Sequence, residues 1–175
     1  MKNKILSVTL LLAIYVSPLL AQESSPSAFI EKIAIRDFNK LTIRSDITIM
    51  LIEDAAGDSV RVEGSREFID KIMILQADKE LVVRTKSFKD VKEKGIVYIP
   101  VNSLENIEMD ADAKLVSYNT LQSPVLNILI NGNCTVDIVL KGKLNIREAE
   151  GYDFTYRRVY ENRKTPLVQN KNLND

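Results

Sequence analysis

The chain has 175 residues, with 24 basic and 24 acidic side chains, one cysteine and no histidine. Balanced, interspersed charge gives no long-range attraction for nucleic acid or anionic lipid, so neither is an expected partner. The missing histidine removes the commonest zinc ligand and the usual neutral-pH proton shuttle, and a single cysteine cannot form an internal disulfide.

The amino end reads as a secretory signal peptide over residues 1–21. Lys2 and Lys4 precede an apolar run from Ile5 to Val16, with Pro18 and a small residue, Ala21, at the cut. That run is too short for a stable membrane span, and Gln22 at the cut offers no cysteine for a lipid anchor. The mature chain is expected in the periplasm, at the cell surface or outside the cell, without membrane insertion. It has one domain's length and should form one core. Residues 22–28, with three serines and Pro26, read as a flexible leader.

From Phe38 the pattern is that of a strand. Leu41, Ile43, Ile47, Ile49 and Leu51 share one face, and Thr42, Arg44, Asp46 and Thr48 the other. A turn at residues 54–58 leads to a second strand from Ser59, expected to pair with the first. Residues 64–71 hold the one plausible helical turn. Ile72 to Ala77 and Leu81 to Thr85 form a hairpin around residues 78–80, so antiparallel pairing should dominate this half. Residues 87–94 read as a charged, solvated connection. Gly95 to Val101 is apolar on both faces and belongs inside the structure, with Tyr98 in the core and Pro100 near a strand end.

Two stretches then superimpose, residue 104 on residue 125: Leu104 to Leu115 and Val125 to Val136. Ile107, Met109 and Leu115 match Ile128, Ile130 and Val136, with polar residues between them. A strand-bearing repeat of about twenty residues cannot bury its apolar side alone and implies stacked coils. Met109 and Ile130 should therefore occupy equivalent slots in neighbouring coils. Leu144 to Ile146 begins a partial third copy. The small residues Ala111, Ala113, Gly132 and Cys134 fall where inward side chains are due, which marks a corner where the backbone bends toward the core. Tyr152, Phe154 and Tyr156 alternate as a last, capping strand would, and residues 157–175 read as a polar tail. The expected fold is all-β: a short β-solenoid, or single-stranded β-helix-like stack, over residues 29–156, entered through antiparallel strands.

The corner sends Asp110 and Asp112 outward, one coil from Asn131 and Asn133, as two short ladders of oxygen-bearing side chains. Such oxygens can hold a hard cation, and Asp137 is a further candidate ligand. The same residue types also tolerate corner dihedrals and bond nearby backbone, which is the expected role because calcium recruits more ligands than this. No metal or cofactor site is otherwise expected. Tyr98, Tyr118, Tyr152, Tyr156 and Tyr160 share no fixed spacing that would build a binding platform. No nucleophile can be matched with a histidine base, none of the six glycines is spaced as a phosphate loop, and the Asp110–Asp112 pair sits on an open surface where nothing separates the two pKa values.

The opening strand pair (Phe38 to Met50, Ser59 to Gly64), the hairpin over residues 72–83 and the run Val97-Tyr-Ile-Pro-Val-Asn-Ser-Leu-Glu-Asn-Ile107 resemble the auto-transporter adhesin head family, or GIN domain, of exported Bacteroidetes proteins. The resemblance covers about Phe38 to Ile146. It implies a β-solenoid whose corners usually read Ser-Gly-Ser-Gly; here they read Asp110-Ala111-Asp112-Ala113 and Asn131-Gly132-Asn133-Cys134, so Gly132 alone matches a family glycine. It also implies fewer coils than fuller members and brings no catalytic residues. The function it implies is an exported, non-enzymatic envelope or surface module, adhesin-like, that binds a glycan or protein along an exposed β-face. Two alternatives stand beside it. One is a β-helical polysaccharide-processing enzyme using Arg44, Arg61 or Arg84; the other is an envelope protein that self-associates through the open end of the stack.

Overall fold

A computed structural model describes residues 28–86, 95–149, 154–159 and 167–169. The expected signal peptide, leader and 87–94 connection, with Tyr152 and Tyr160, lie outside these residues. Among the described residues the protein is all-β apart from one short helix. Its elements are β1 (Phe29–Ala34), β2 (Lys40–Arg44), β3 (Thr48–Glu53), β4 (Ser59–Gly64), α1 (Arg66–Lys71), β5 (Ile72–Ala77), β6 (Glu80–Thr85), β7 (Gly95–Val101), β8 (Asn106–Met109), β9 (Lys114–Ser117), β10 (Leu121–Ile130), β11 (Cys134–Glu148), β12 (Phe154–Val159) and β13 (Leu167–Gln169).

The strands form two rows. In the first, β6, β2, β8, β10 and the second half of β11 lie side by side in parallel. In the second, β7, β3, β9, the first half of β11 and β12 do the same. Because β11 serves both rows, eleven strands from β1 to β5 make one continuous hydrogen-bonded path, and β12 with β13 branches from it at β11. Each rung is a strand of the first row and a strand of the second: β2 with β3, β8 with β9 and β10 with β11, each pair joined by a bend, and β6 with β7.

Period-two alternation turns one side of every rung inward, and the register stacks those residues in columns. Leu81, Leu41, Ile107 and Ile128 align across the first row, as do Val83, Ile43, Met109 and Ile130. Val97, Ile49, Leu115 and Val136 align across the second. All twelve are at most 2% exposed and join a single core. Met109 and Ile130 are thus direct register partners with no exposed surface, as the repeat requires. The partial third copy also aligns, Leu144 beside Leu126 and Ile146 beside Ile128.

The opening of the chain differs from expectation. Residues 38–50 are not one strand. β2 and β3 are separated by a bend at residues 45–47 that carries the chain from one row to the other, and alternation continues through the bend, so all five apolar residues are still buried. Nor do β3 and β4 pair: β7 lies between them, parallel to β3 and antiparallel to β4. Val97, Ile99 and Val101 point inward with the β3 side chains, and a strand so buried takes a neighbour on each side. Antiparallel pairing in this half is limited to β1 with β4, β4 with β7, and β5 with β6, while β2 and β3 sit mid-stack in parallel. Spatial order also departs from chain order, since the β2–β3 rung lies between the β6–β7 and β8–β9 rungs.

The local signals are met. Ser65 caps α1 by accepting a hydrogen bond from the Phe68 amide at 3.1 Å. Asp78 takes φ 51° in the tight β5–β6 hairpin, a conformation Asp tolerates better than most residues. At the carboxyl end, β12 runs to Val159 and pairs with β13, so strand structure continues past residue 156 into the expected tail.

Candidate functional site

The corners between rows are built alike in three rungs. Arg44-Ser45-Asp46, Asp110-Ala111-Asp112 and Asn131-Gly132-Asn133 follow the register partners Ile43, Met109 and Ile130. The Asp110 amide donates to the Ile43 carbonyl and the Asn131 amide to that of Met109, both at 2.8 Å. The middle residue of each triplet faces the neighbouring rung. A Cβ on Gly132 would stand 2.8 Å from both the carbonyl carbon and oxygen of Ala111, which is why this copy has glycine. The Cys134 thiol donates to the same Ala111 carbonyl at 3.0 Å, and burial pushes its pKa up.

Asp110 and Asp112 lie beside Asn131 and Asn133 on neighbouring corners. Asn131 Nδ2 donates to Asp110 Oδ1 at 2.8 Å, and the Asn133 amide donates to Asp112 Oδ1 at 2.9 Å. Arg44 Nε donates to the other Asp110 oxygen at 3.3 Å and extends the ladder to a third rung. Both Asp110 oxygens are therefore engaged by protein. Asp137 is elsewhere, opposite Val116 on β11. No group of three or more His, Cys, Asp or Glu residues close enough to hold a metal ion occurs among the described residues. A groove of about 850 Å³ runs beside the corner, with Asp46, Asp112 and Asn133 on one side and Glu63, Phe68 and Ile96 on the other.

Tyr98 and Tyr118, the tyrosines whose side chains are described, do not converge. Tyr98 is on the outer face of β7 instead of in the core, because Val97 and Ile99 take the inward positions, and its ring carries the Arg61 guanidinium at 4.0 Å. Tyr118 is 73% exposed beyond β9, with β3 between it and β7. Arg44 and Arg61 are thus occupied by Asp110 and Tyr98.

The most organised polar surface lies on the outer face of the first row. Asn106, Asn127 and Asn145 stand in register on β8, β10 and β11. Asn145 Nδ2 donates to Asn127 Oδ1 at 2.9 Å, and Asn127 Nδ2 donates to Asn106 Oδ1 at 3.2 Å. The next outward column holds Thr42, Glu108, Leu129 and Arg147. Lys40 bridges Glu80 at 3.1 Å and Glu108 at 2.9 Å, which raises its pKa, with the Glu108 bond the larger cause. The Glu80 carboxyl is held below its usual range by the Thr42 hydroxyl, which donates to it at 2.6 Å, and then by Lys40. A groove of about 550 Å³ lies over this face. The sequence signal for it was the triplet before each inward Ile: Glu105-Asn106-Ile107, Leu126-Asn127-Ile128 and Leu144-Asn145-Ile146. Attention to the apolar set alone passes over the recurring Asn.

Residues 37–154 match the family described as "Putative auto-transporter adhesin, head GIN domain". Three solved structures described as putative adhesins share the fold. That from Bacteroides fragilis is 21% identical with TM-score 0.61, covering 74% of this chain and 62% of its own. That from Parabacteroides merdae is 18% identical with TM-score 0.59, covering 74% and 55%. That from Parabacteroides distasonis is 17% identical with TM-score 0.59, covering 75% and 57%. The chain thus spans less than two thirds of the length of each. No curated protein matches it.

Proposed function

Since the chain belongs to the auto-transporter adhesin head, GIN-domain family, we propose that it is an exported, non-enzymatic envelope module that holds an external partner on the outer face of β2, β8, β10 and β11. In this reading residues 1–21 are removed on export, and the parallel rungs form a short β-solenoid that serves as a rigid support. The observation that carries it is the in-register column Asn106, Asn127 and Asn145, a row of amides held by one another on strands that cannot shift without breaking two ladders. Nothing in the family's description is catalytic, and of the three arginines that an acid–base mechanism would recruit, Arg44 is held by Asp110 and Arg61 lies over Tyr98.

The test is binding without turnover. The purified protein is applied to a glycan array and used in pull-downs from envelope extracts, with products assayed in parallel. Saturable capture of a glycan or envelope protein supports the reading, and release of shortened glycan products overturns it. Self-association is favoured by one observation: residues 143–148 of β11 pair on one side only, with β10, among the described residues. Light scattering that shows a monomer at high concentration would eliminate it.

A further inference from the structure

The outer face of β10 and β11 presents three cross-strand pairs: Val125 with Lys143, Asn127 with Asn145, and Leu129 with Arg147. Val125 and Leu129 are 40% and 39% exposed, two apolar platforms on either side of an amide pair. Lys143 and Arg147 are exposed and have no ion-pair partner among the described residues. Glu108, two strands away in the column of Arg147, is bridged by Lys40 at 2.9 Å. Asn145 and Asn127 each donate along the ladder, which leaves Asn145 Oδ1 as an acceptor with no donor among the described residues.

The β10 backbone is engaged by β11 along the strand and by β8 over residues 127–130, so a ligand laid across Asn127 and Leu129 is read there by side chains. An acidic peptide gains most from adding as a strand, which would place it at the edge of β11 residues 143–148, unpaired among the described residues, and off this face. The face suits a ligand with apolar C–H faces, dense hydroxyls and fixed negative charge. Outward residues recur about every 6.8 Å along a strand, so Lys143 and Arg147 are set about 13 Å apart, room for an oligosaccharide and more than one ring requires.

From this arrangement we infer that the face binds an acidic oligosaccharide bearing uronate carboxylates, laid along β10 and β11. Ring faces rest on Val125 and Leu129, hydroxyls bond to Asn127 and Asn145, and carboxylates pair with Lys143 and Arg147. The inference rests on the binding-module reading and names its ligand class.

Titration calorimetry with tetragalacturonate tests it, against the carboxyl-reduced tetrasaccharide, tetraglutamate and phosphatidylglycerol vesicles. Saturable binding of tetragalacturonate is expected, weakened about tenfold by K143Q and by R147Q, and again by carboxyl reduction, because each removes a charge-assisted hydrogen bond. Added salt should weaken it further. Both substitutions are at exposed positions, and circular dichroism checks that the variants are folded. Equal binding of the reduced sugar, no change in either variant, or preference for tetraglutamate or vesicles overturns the inference. If tetragalacturonate does not bind while arrays or pull-downs still yield a partner, this inference fails and the module reading survives; if neither yields a ligand, both fail.

Discussion

Replacing Gly132 with alanine tests the corner on which the rungs stack. The new Cβ would lie 2.8 Å from the carbonyl carbon and oxygen of Ala111, where an ordinary carbon contact is about 3.5 Å or more. The Ala111 backbone would have to retreat by roughly 0.7 Å. It is held there by Cys134 Sγ, and the amide of Ala113, two residues on, donates to the same carbonyl at 2.8 Å. Overpacking of this kind costs about 1–3 kcal/mol, while the lower chain entropy of alanine in the unfolded state offsets about 0.4–1 kcal/mol. The net loss is then about 1–2 kcal/mol, and with a urea m-value of about 2 kcal/mol/M the midpoint should fall by about 0.5–1 M. Because the atoms met are backbone, adding A111G should not restore it. A midpoint that stays put or rises in G132A, or recovers fully in the double variant, would refute the reasoning.

Three further outcomes follow from the polar groups. Glu80 has its folded pKa depressed below the usual 4.5, so its contribution is present above that value and is lost as pH falls through the folded one; E80Q should flatten the acid side of the stability–pH curve, and parallel curves would contradict this. Cys134 is buried with its thiol pKa raised, so a thiol reagent at neutral pH should label the protein only in denaturant, and rapid labelling of the folded chain would show the corner to be open. Both Asp110 oxygens accept hydrogen bonds from protein, so excess EDTA should leave the thermal midpoint unchanged. A fall in that midpoint reversed by calcium would assign the ladder to a cation.

Much of the corner was legible because its cause is local. Alternation fixes which side chains point inward, and a bend between two such runs demands small residues, so Ala113, Gly132 and Cys134 marked it before any coordinates. The same pattern was present one rung earlier: Ile43-Arg-Ser-Asp-Ile-Thr-Ile49 lies on Met109-Asp-Ala-Asp-Ala-Lys-Leu115, and hydrogen bonds join residues 66 apart, as in Arg44 with Asp110 and Glu53 with Asn119. Asp46, which lines the corner groove beside Asp112, belongs to that copy. A comparison at the offset of 21 that relates the later copies misses it, because β4, α1, β5, β6 and β7 are inserted between these two and set their offset at 66.

Sequence alone determined the strand content, the inward faces, the repeat and its corner, since each depends on residues within a few positions of one another. It did not determine which strands are neighbours. Tertiary structure decided that β7 would lie between β3 and β4, and that the rung nearest the start of the fold would sit mid-stack. It also decided that Lys143 and Arg147 would flank an amide ladder beside exposed Val125 and Leu129. Parallel pairing places no limit on sequence separation once loop closure is met, and the gain comes from burying both faces of a rung against whichever neighbour completes the core.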